Sequence, residues 1–268
     1  MRAPRGRHGQ LRRSHLAFWV VMVLCAIAAM VAVVSMLSIQ AEYAASREEY
    51  DDLRLRYSPV EATTVISEMA EGFGVTSDAT RSDASAVNTA PEPSADLTPI
   101  NPDYIGWIRI DGTPVDYPVV RGADNEKYLN TSFRGVRRAS GTVFMDSACV
   151  DGFDAAHAIL YGHNMKDGSM FAELLRYTDK QFRLDHPAVD IITPDGETIT
   201  YRIVAAKYTD VWDAAYSLKY DDHDSVREYF SRYGDSAEIN SVLTLSTCIG
   251  GNDDHERLLI HAVRMHSQ

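Results

Sequence analysis

Three side chains able to carry out acyl transfer lie at the ends of apolar, strand-like segments. Cys248 ends the run VLTLST and precedes Ile-Gly-Gly, His163 follows the run Ile-Leu-Tyr-Gly, and Arg257 opens the run RLLIHAVRM. A thiol, an imidazole and a guanidinium supply a nucleophile, a proton carrier and a fixed cation. The sequence therefore predicts nucleophilic catalysis by Cys248, with His163 moving protons and Arg257 stabilising negative charge.

The thiol is suited to transferring an acyl group to an amine. A free cysteine has a pKa of about 8.5, which a neighbouring imidazole or guanidinium lowers. A thioester is readily aminolysed, and Arg257 can donate a charge-assisted hydrogen bond to the oxyanion that precedes it. Taken singly, a strand-ending cysteine is more often a buried hydrophobe. The combination of three such groups favours catalysis.

The other cysteines and the acidic residues predict neither a disulfide scaffold nor a metal site. Cys25 lies in an apolar segment, which leaves Cys149 and Cys248 in the folded part. Two cysteines are too few for a disulfide scaffold, and a single bridge between them is the alternative to a free thiol at Cys248. The acidic loop 249–256 does not have the ligand spacing of a calcium-binding loop. We expect no metal and no cofactor.

The elements that must position these residues are mainly short strands. Apolar or alternating segments predict eight strands, over 106–110, 115–120, 141–146, 157–162, 189–193, 198–206, 242–247 and 257–265. Turn signals at 111–112 and 194–196 separate neighbouring strands. Helical patterns cover 169–177 and 224–233, the second with Asp224 as its N-cap. A mainly β fold, either a closed barrel or a sandwich, is expected.

The N-terminal segment predicts a membrane anchor. Residues 16–37 include no charge, and a 22-residue helix spans a hydrocarbon core of about 30 Å. Five arginines and no acidic residue occur in 1–39, so the positive-inside rule places the N-terminus in the cytoplasm. The segment is longer than the apolar region of a cleaved signal peptide, the competing interpretation, so we favour a retained anchor.

Composition then divides the chain into four parts. They are a cytoplasmic basic tail (1–15), a transmembrane anchor (16–39), an extracellular stalk or linker (40–99) and a catalytic domain (100–268). Within the stalk, 73–99 has too few large apolar side chains to form a core. Beyond residue 39, 21 basic residues face 38 acidic ones, a balance of −17 that argues against nucleic acid as a partner.

Several segments resemble the sortases, class B in particular. The motif LSTC with a downstream arginine, and YGHNM followed by DGSMF, are similar to the family signature. NPDYIGWIRIDGTPVDYPVV, DNEKYLNTSF and SGTVFMD resemble the N-terminal half of a class B domain, so the resemblance covers about 100–265. It implies an eight-stranded sortase-type β-barrel with a few short helices, one of them in the long connection before the cysteine strand.

The resemblance also implies a role for each site residue. Cys248 attacks the threonine carbonyl of a C-terminal sorting signal, His163 protonates the leaving amine and deprotonates the incoming one, and Arg257 holds substrate and oxyanion. The substrate-binding residues it implies are Asn125, Leu129, Ser246 and Thr247. The implied enzyme is a thiol protease and transpeptidase in the plasma membrane of a Gram-positive cell. It anchors surface proteins through a thioacyl intermediate to an amino group of cell-wall precursor.

Two alternatives to cell-wall anchoring remain open at this point. A sortase of this type could instead polymerise pilin subunits through lysine isopeptide bonds. A membrane-tethered binding module without turnover is less favoured, because His163, Cys248 and Arg257 are all present. Papain-like hydrolases place cysteine before histidine, and cysteine L,D-transpeptidases resemble a Ser-His-Gly-Cys pattern, so both are disfavoured.

Overall fold

The computed structural model describes residues 8–57, 96–217, 222–233, 239–250 and 255–265. Their contacts divide the chain into two compact units, Met1–Ala45 and Ser46–Gln268.

The first unit consists of the larger part of helix α1, which runs from His8 to Tyr57. Large apolar side chains between Phe18 and Ile39 are exposed, and the helix is long and apolar enough to cross a membrane, with a mean hydropathy of 2.9 over its most apolar window. This is consistent with the expected membrane anchor. A signal sequence near an N-terminus can satisfy the same criterion of length and apolar composition.

The second unit is built around a closed barrel of eight strands, as expected. The strands are β1 (Tyr104–Arg109), β2 (Asp116–Val120), β3 (Val143–Met145), β4 (His157–Tyr161), β5 (Ala188–Ile192), β6 (Thr198–Asp210), β7 (Val242–Cys248) and β8 (Glu256–Arg264). Their order around the barrel is β1-β2-β3-β4-β7-β8-β6-β5. The pairs β2–β3 and β4–β7 are parallel and the other six are antiparallel. The predicted eight-stranded barrel is therefore confirmed.

Burial explains the sequence patterns of these strands. Strand β7 reads as a continuous apolar run because its residues are buried on both faces as far as Thr247. Strand β6 alternates more, since much of one face is open to solvent. The β1–β2 hairpin turns at Gly112, whose φ of +70° favours glycine.

The helices match the sequence patterns only in part, since Lys180–Asp185 was not predicted and 169–177 does not form an α-helix. Helix α2 covers Lys180–Asp185, helix α3 covers His223–Phe230, and Ala172–Thr178 forms a 3₁₀ helix. Helix α3 lies in the β6–β7 connection, as the family resemblance implied. Its N-cap is Asp222, whose carboxylate accepts from Ser225 N, so the prediction of Asp224 was wrong. Asp224 already lies inside the first turn, where its exposed side chain pairs with Arg227.

The last three turns of α1 pack on the barrel as part of the second unit. Tyr50 and Leu53 are buried, and Tyr50 donates from its hydroxyl to the carbonyl of Gly141 at 2.5 Å. Burial also raises the pKa of Tyr50. Arg54 Nε donates to the carbonyl of Asp116 at 2.8 Å. The boundaries of the four predicted segments stay predictions, and 58–95 of the proposed stalk lie outside the described residues.

Candidate active site

Three adjacent strands bring the predicted catalytic residues to one end of the barrel. In the parallel β4–β7 pair Tyr161 lies opposite Ser246, and His163 and Cys248 each follow two residues later. In the antiparallel β7–β8 pair Cys248 lies directly opposite Arg257. Because parallel strands end at the same edge, the imidazole, thiol and guanidinium reach a common site.

A cavity of about 350 Å³ opens at this end of the barrel. All seven residues predicted from the sequence line it: Asn125, Leu129, His163, Ser246, Thr247, Cys248 and Arg257. The structure thus brings the whole predicted set together, while the role of each residue stays a prediction.

Both the ring and the backbone of His163 are held by contacts with neighbouring residues. Its Nε2 lies 2.8 Å from the carbonyl oxygen of Leu129. A carbonyl can only accept, so Nε2 carries the proton of the neutral ring and Nδ1 is its acceptor nitrogen. The backbone oxygen of His163 accepts from Phe171 N at 2.9 Å. A Cβ at Gly162 would lie 2.6 Å from the Phe171 ring, so only glycine fits before the histidine here.

Cys248 and Cys149 are both free thiols, so the alternative of a bridge between them is not what the structure contains. Cys248 is partly exposed at the cavity, whereas Cys149 is buried. Burial raises the pKa of Cys149 to about 12, and its Sγ lies 3.3 Å from the carbonyl oxygen of Gly152. Cys149 is therefore protonated at neutral pH and unsuited to nucleophilic attack.

The loops after β4 and β7 are tied to each other beside the site. The side-chain amide of Asn164 donates to the carbonyl of Ile249 at 3.0 Å, linking the residue after His163 to the residue after Cys248. Arg257 donates from Nη1 to the carbonyl of Glu256 at 2.9 Å, which fixes part of its fork at the start of β8. These contacts hold the three groups in one arrangement.

Aromatic residues that the sequence analysis did not single out complete the cavity wall. Tyr216 and Tyr161 stack with 6.4 Å between ring centroids and 7° between ring planes. The Tyr216 hydroxyl lies 2.7 Å from Ser246 Oγ, and Tyr161 donates to Asp146 at 2.8 Å. Tyr161 immediately precedes the Gly-His pair and could have been found by that position. Tyr216 lies in a connection without periodicity, which gives no such signal.

The remaining predicted residues differ in exposure. Ser246 and Thr247 border the cavity although each is only 2% exposed. Leu129 is 37% exposed, and Asn125 uses its side-chain oxygen to accept from Ser147 N at 2.7 Å. Of these four residues, Leu129 is therefore the most exposed.

Within the described ranges, no group of three or more His, Cys, Asp and Glu side chains could hold a metal ion. Asp253 and Asp254 of the acidic loop lie outside those ranges. The expectation that the site uses no metal stays a prediction.

Comparison with known proteins identifies the family. The family model described as a sortase domain matches residues 108–265, more than half of the chain. The chain belongs to the sortase family. This sortase is 30% identical to Sortase B of Listeria monocytogenes over 167 residues, covering 57% of this chain and 65% of that protein. It is 29% identical to Sortase B of Staphylococcus aureus over 161 residues, covering 57% and 66%. Each match thus spans slightly less than two thirds of the relative.

Solved structures agree with this assignment. The sortase resembles a Clostridium perfringens sortase B with 28% identity and a TM-score of 0.56, over 63% of this chain and 98% of the other. A Staphylococcus aureus sortase B–substrate complex matches with a TM-score of 0.61 over 85% and 100%, and at 23% identity it supports the fold alone. The resemblance to class B sortases is confirmed.

Proposed function

We propose that this sortase is a membrane-anchored cysteine transpeptidase that joins surface proteins to an amino group of cell-wall precursor. The observation that carries the proposal is the placement of Cys248, opposite Arg257 on the neighbouring strand and in one cavity with His163. Nucleophile, charge stabiliser and proton carrier are the three parts that acyl transfer to an amine requires.

The first half-reaction cleaves the sorting signal. Cys248, as the thiolate, attacks the carbonyl carbon of a threonine, and the carbonyl oxygen takes the negative charge. Arg257 donates hydrogen bonds to that oxygen. When the carbon–nitrogen bond breaks, protonated His163 gives its Nδ1 proton to the leaving amine. The products are a thioester on Cys248 and the released C-terminal peptide.

The second half-reaction transfers the acyl group. The nitrogen of the incoming amine attacks the thioester carbon, and neutral His163 accepts a proton from that amine. Arg257 again faces the oxyanion. The carbon–sulfur bond breaks, the Cys248 thiolate is restored and a new amide is formed. Water attacking the same thioester would give hydrolysis instead of transfer.

The proposed location is the outer face of a plasma membrane. Five arginines precede the apolar part of α1, which favours a cytoplasmic N-terminus and an extracellular catalytic domain in a single-pass protein. An extracellular domain would meet both the sorting signals of exported proteins and the cell-wall precursor. Protease added to intact cells should digest the barrel, whereas protection of the barrel would contradict this orientation.

The deciding experiment is detection of the acyl-enzyme. The purified full chain in detergent is incubated with a library of peptides that share a central threonine, and intact mass is measured with and without an amine. We expect a mass increase on Cys248 that the amine removes, and no increase in Cys248→Ala. A library that gives neither cleavage nor a Cys248 adduct would overturn the proposal and favour a binding module.

The choice of amine separates the two transfer reactions. A cell-wall precursor peptide with a free amino terminus tests anchoring, and a peptide with an internal lysine tests pilin polymerisation. Preferred turnover of the precursor amine supports the proposal. Preferred turnover of the lysine side chain would assign the enzyme to pilin polymerisation.

A further inference from the structure

A buried carboxylate outside the predicted site holds a segment of the cavity wall. Asp213 follows β6, and its side chain is only 4% exposed. Its Oδ2 accepts from Thr209 Oγ1 at 2.6 Å and pairs with Lys207 Nζ. Its Oδ1 accepts from the Tyr229 hydroxyl at 2.6 Å and from Ala215 N at 2.9 Å. One side chain thus joins β6, helix α3 and the turn between them.

This carboxylate remains charged despite its burial. Burial alone would raise the pKa of Asp213, but the hydrogen bonds from Ala215 N, Lys207, Thr209 and Tyr229 outweigh it and lower the pKa. A buried charge with several donors is costly to disturb, because removing it leaves those donors without an acceptor. Asp213 and its four donors, here called the hub, therefore form a rigid point of the connection between β6 and α3.

The segment that Asp213 holds is 211–217, here called the wall segment. Val211 and Tyr216 from this segment line the cavity, whereas Asp213 itself does not. The backbone oxygen of Asp213 accepts from Tyr216 N at 3.0 Å, so the hub lies one turn from the tyrosine. Tyr216 in turn contacts Ser246, two residues before Cys248, and stacks on Tyr161.

We propose that Asp213 is a positioning residue of the cysteine site, whose contacts with β6 and α3 keep the wall segment, and through it Tyr216, in place beside Ser246. For its effect on peptide binding this inference rests on the proposed function. Asp213 touches neither Cys248 nor the cavity, so its removal should widen the site without altering the thiol.

The test compares Asp213→Asn with Asp224→Asn in the full chain. Both variants remove one negative charge, but Asp224 has a side chain that is 94% exposed. In Asp213→Asn the NH2 group of the amide faces hydrogen-bond donors from which it cannot accept. The wall segment should therefore loosen. We expect KM for a cleaved peptide to rise about tenfold with kcat within about twofold, since the lost interaction acts in binding. Asp224→Asn should match the unsubstituted chain.

Two further measurements do not depend on peptide turnover. Amide hydrogen exchange in 211–217 should accelerate about tenfold in Asp213→Asn, while exchange in 242–248 stays unchanged. The rate at which iodoacetamide alkylates Cys248 should also stay within about twofold, because β7 is not displaced. If the unsubstituted chain cleaves no peptide, the proposed function fails, and hydrogen exchange alone decides whether Asp213 holds the wall segment.

Two results would overturn the inference. Unchanged exchange in 211–217 would show that Asp213 does not hold the wall segment. Accelerated exchange in 242–248 together with equal changes in kcat and KM would show that Asp213 stabilises the barrel at large.

If Asp213→Asn does not fold, Thr209→Val tests the proposal instead, because this variant removes a single donor of the hub. This variant should raise KM and the rate of amide hydrogen exchange in the wall segment about threefold each. If either quantity stays unchanged, the proposal is contradicted.

Discussion

Arg257 has a side chain whose shape matters as well as its charge. It stands opposite Cys248 in the β7–β8 register, and part of its guanidinium is fixed by the carbonyl of Glu256. A planar fork can bond a backbone carbonyl and still present donors to an oxyanion, whereas an ammonium group is a point charge. If Arg257 has the proposed role, lysine should therefore not replace it fully.

Removing this guanidinium should weaken the chemical step. In Arg257→Ala we expect kcat to fall by about 10²- to 10³-fold, as for other single oxyanion donors. Arg257→Lys should recover only part of that loss. Single-turnover formation of the Cys248 thioester measures the step directly, and the unfolding temperature of each variant serves as the control. Normal thioester formation in Arg257→Ala would exclude Arg257 from the mechanism.

Residue types alone allowed much of the site to be predicted. Cys248, His163 and Arg257 each stand at a strand end, and the strand register that joins them follows from the barrel. Asn125, Leu129, Ser246 and Thr247 came from the family resemblance, and all four line the cavity. Tyr216 and Asp213 were missed because their contacts are set by the fold of an aperiodic connection, which no local pattern encodes.

At the scale of single elements, β7 and β8 show how closely the barrel core is packed. His157 of β4 and His261 of β8 flank Thr244 of β7, with ring nitrogens 2.8 and 3.0 Å from its hydroxyl. Both imidazoles are fully buried, and Phe230 of α3 packs against each ring. Burial lowers the pKa of each to about 3, so both are neutral in the folded protein at neutral pH.

These histidines should make the barrel sensitive to acid. The two imidazoles become protonated near pH 6.5 in the unfolded chain but only near pH 3 in the folded chain. Their contribution to the free energy of unfolding is therefore intact above pH 6.5 and is lost as pH falls. Each should lower the free energy of unfolding by about 1.4 kcal/mol per pH unit below that point. Urea unfolding between pH 4 and 8 measures the slope, which should decrease in His261→Leu. The same slope in both proteins would contradict a buried neutral His261.

Element boundaries were predicted less well than element types. All eight strands lie within a few residues of the predicted segments, because apolar periodicity reports burial directly. The N-cap of α3 was misplaced by two residues, since Asp222 and Asp224 are both good caps and only the backbone decides between them. The segment 169–177 was predicted as helix and forms a 3₁₀ helix over Ala172–Thr178, a difference in hydrogen-bond spacing that side-chain patterns do not encode.

At the scale of the whole molecule, the packing of Ser46–Tyr57 on the barrel was not expected. The sequence assigned this region to the stalk or linker. Leu53 and Leu55 belong to the same helical turn, yet Leu53 is fully buried and Leu55 is 87% exposed. Only the tertiary contacts of Tyr50, Leu53 and Arg54 show which face belongs to the domain.

This difference gives a matched pair of substitutions. Leu53→Ala should lower the free energy of unfolding of the catalytic unit by about 2–5 kcal/mol, because it leaves a cavity between helix and barrel. Leu55→Ala should change it by less than about 0.5 kcal/mol. Denaturant unfolding of the full chain, followed by fluorescence of the buried Trp107, provides the measurement. Equal effects of the two variants would show that this part of the helix does not stabilise the barrel.

The parallel pairing of β4 with β7 separates the cavity residues of the sortase into those that extend from barrel strands and those that stand on connections. His163 and Cys248 extend from paired strands of the barrel wall, whereas Asn125, Leu129, Val211 and Tyr216 stand on the connections around the opening. The connections can therefore vary in the residues they place at the opening, provided that the contacts of Leu129 with His163 and of Tyr216 with Ser246 are kept. In such a scaffold the shape of the opening can diversify while the strand ends keep the same side chains.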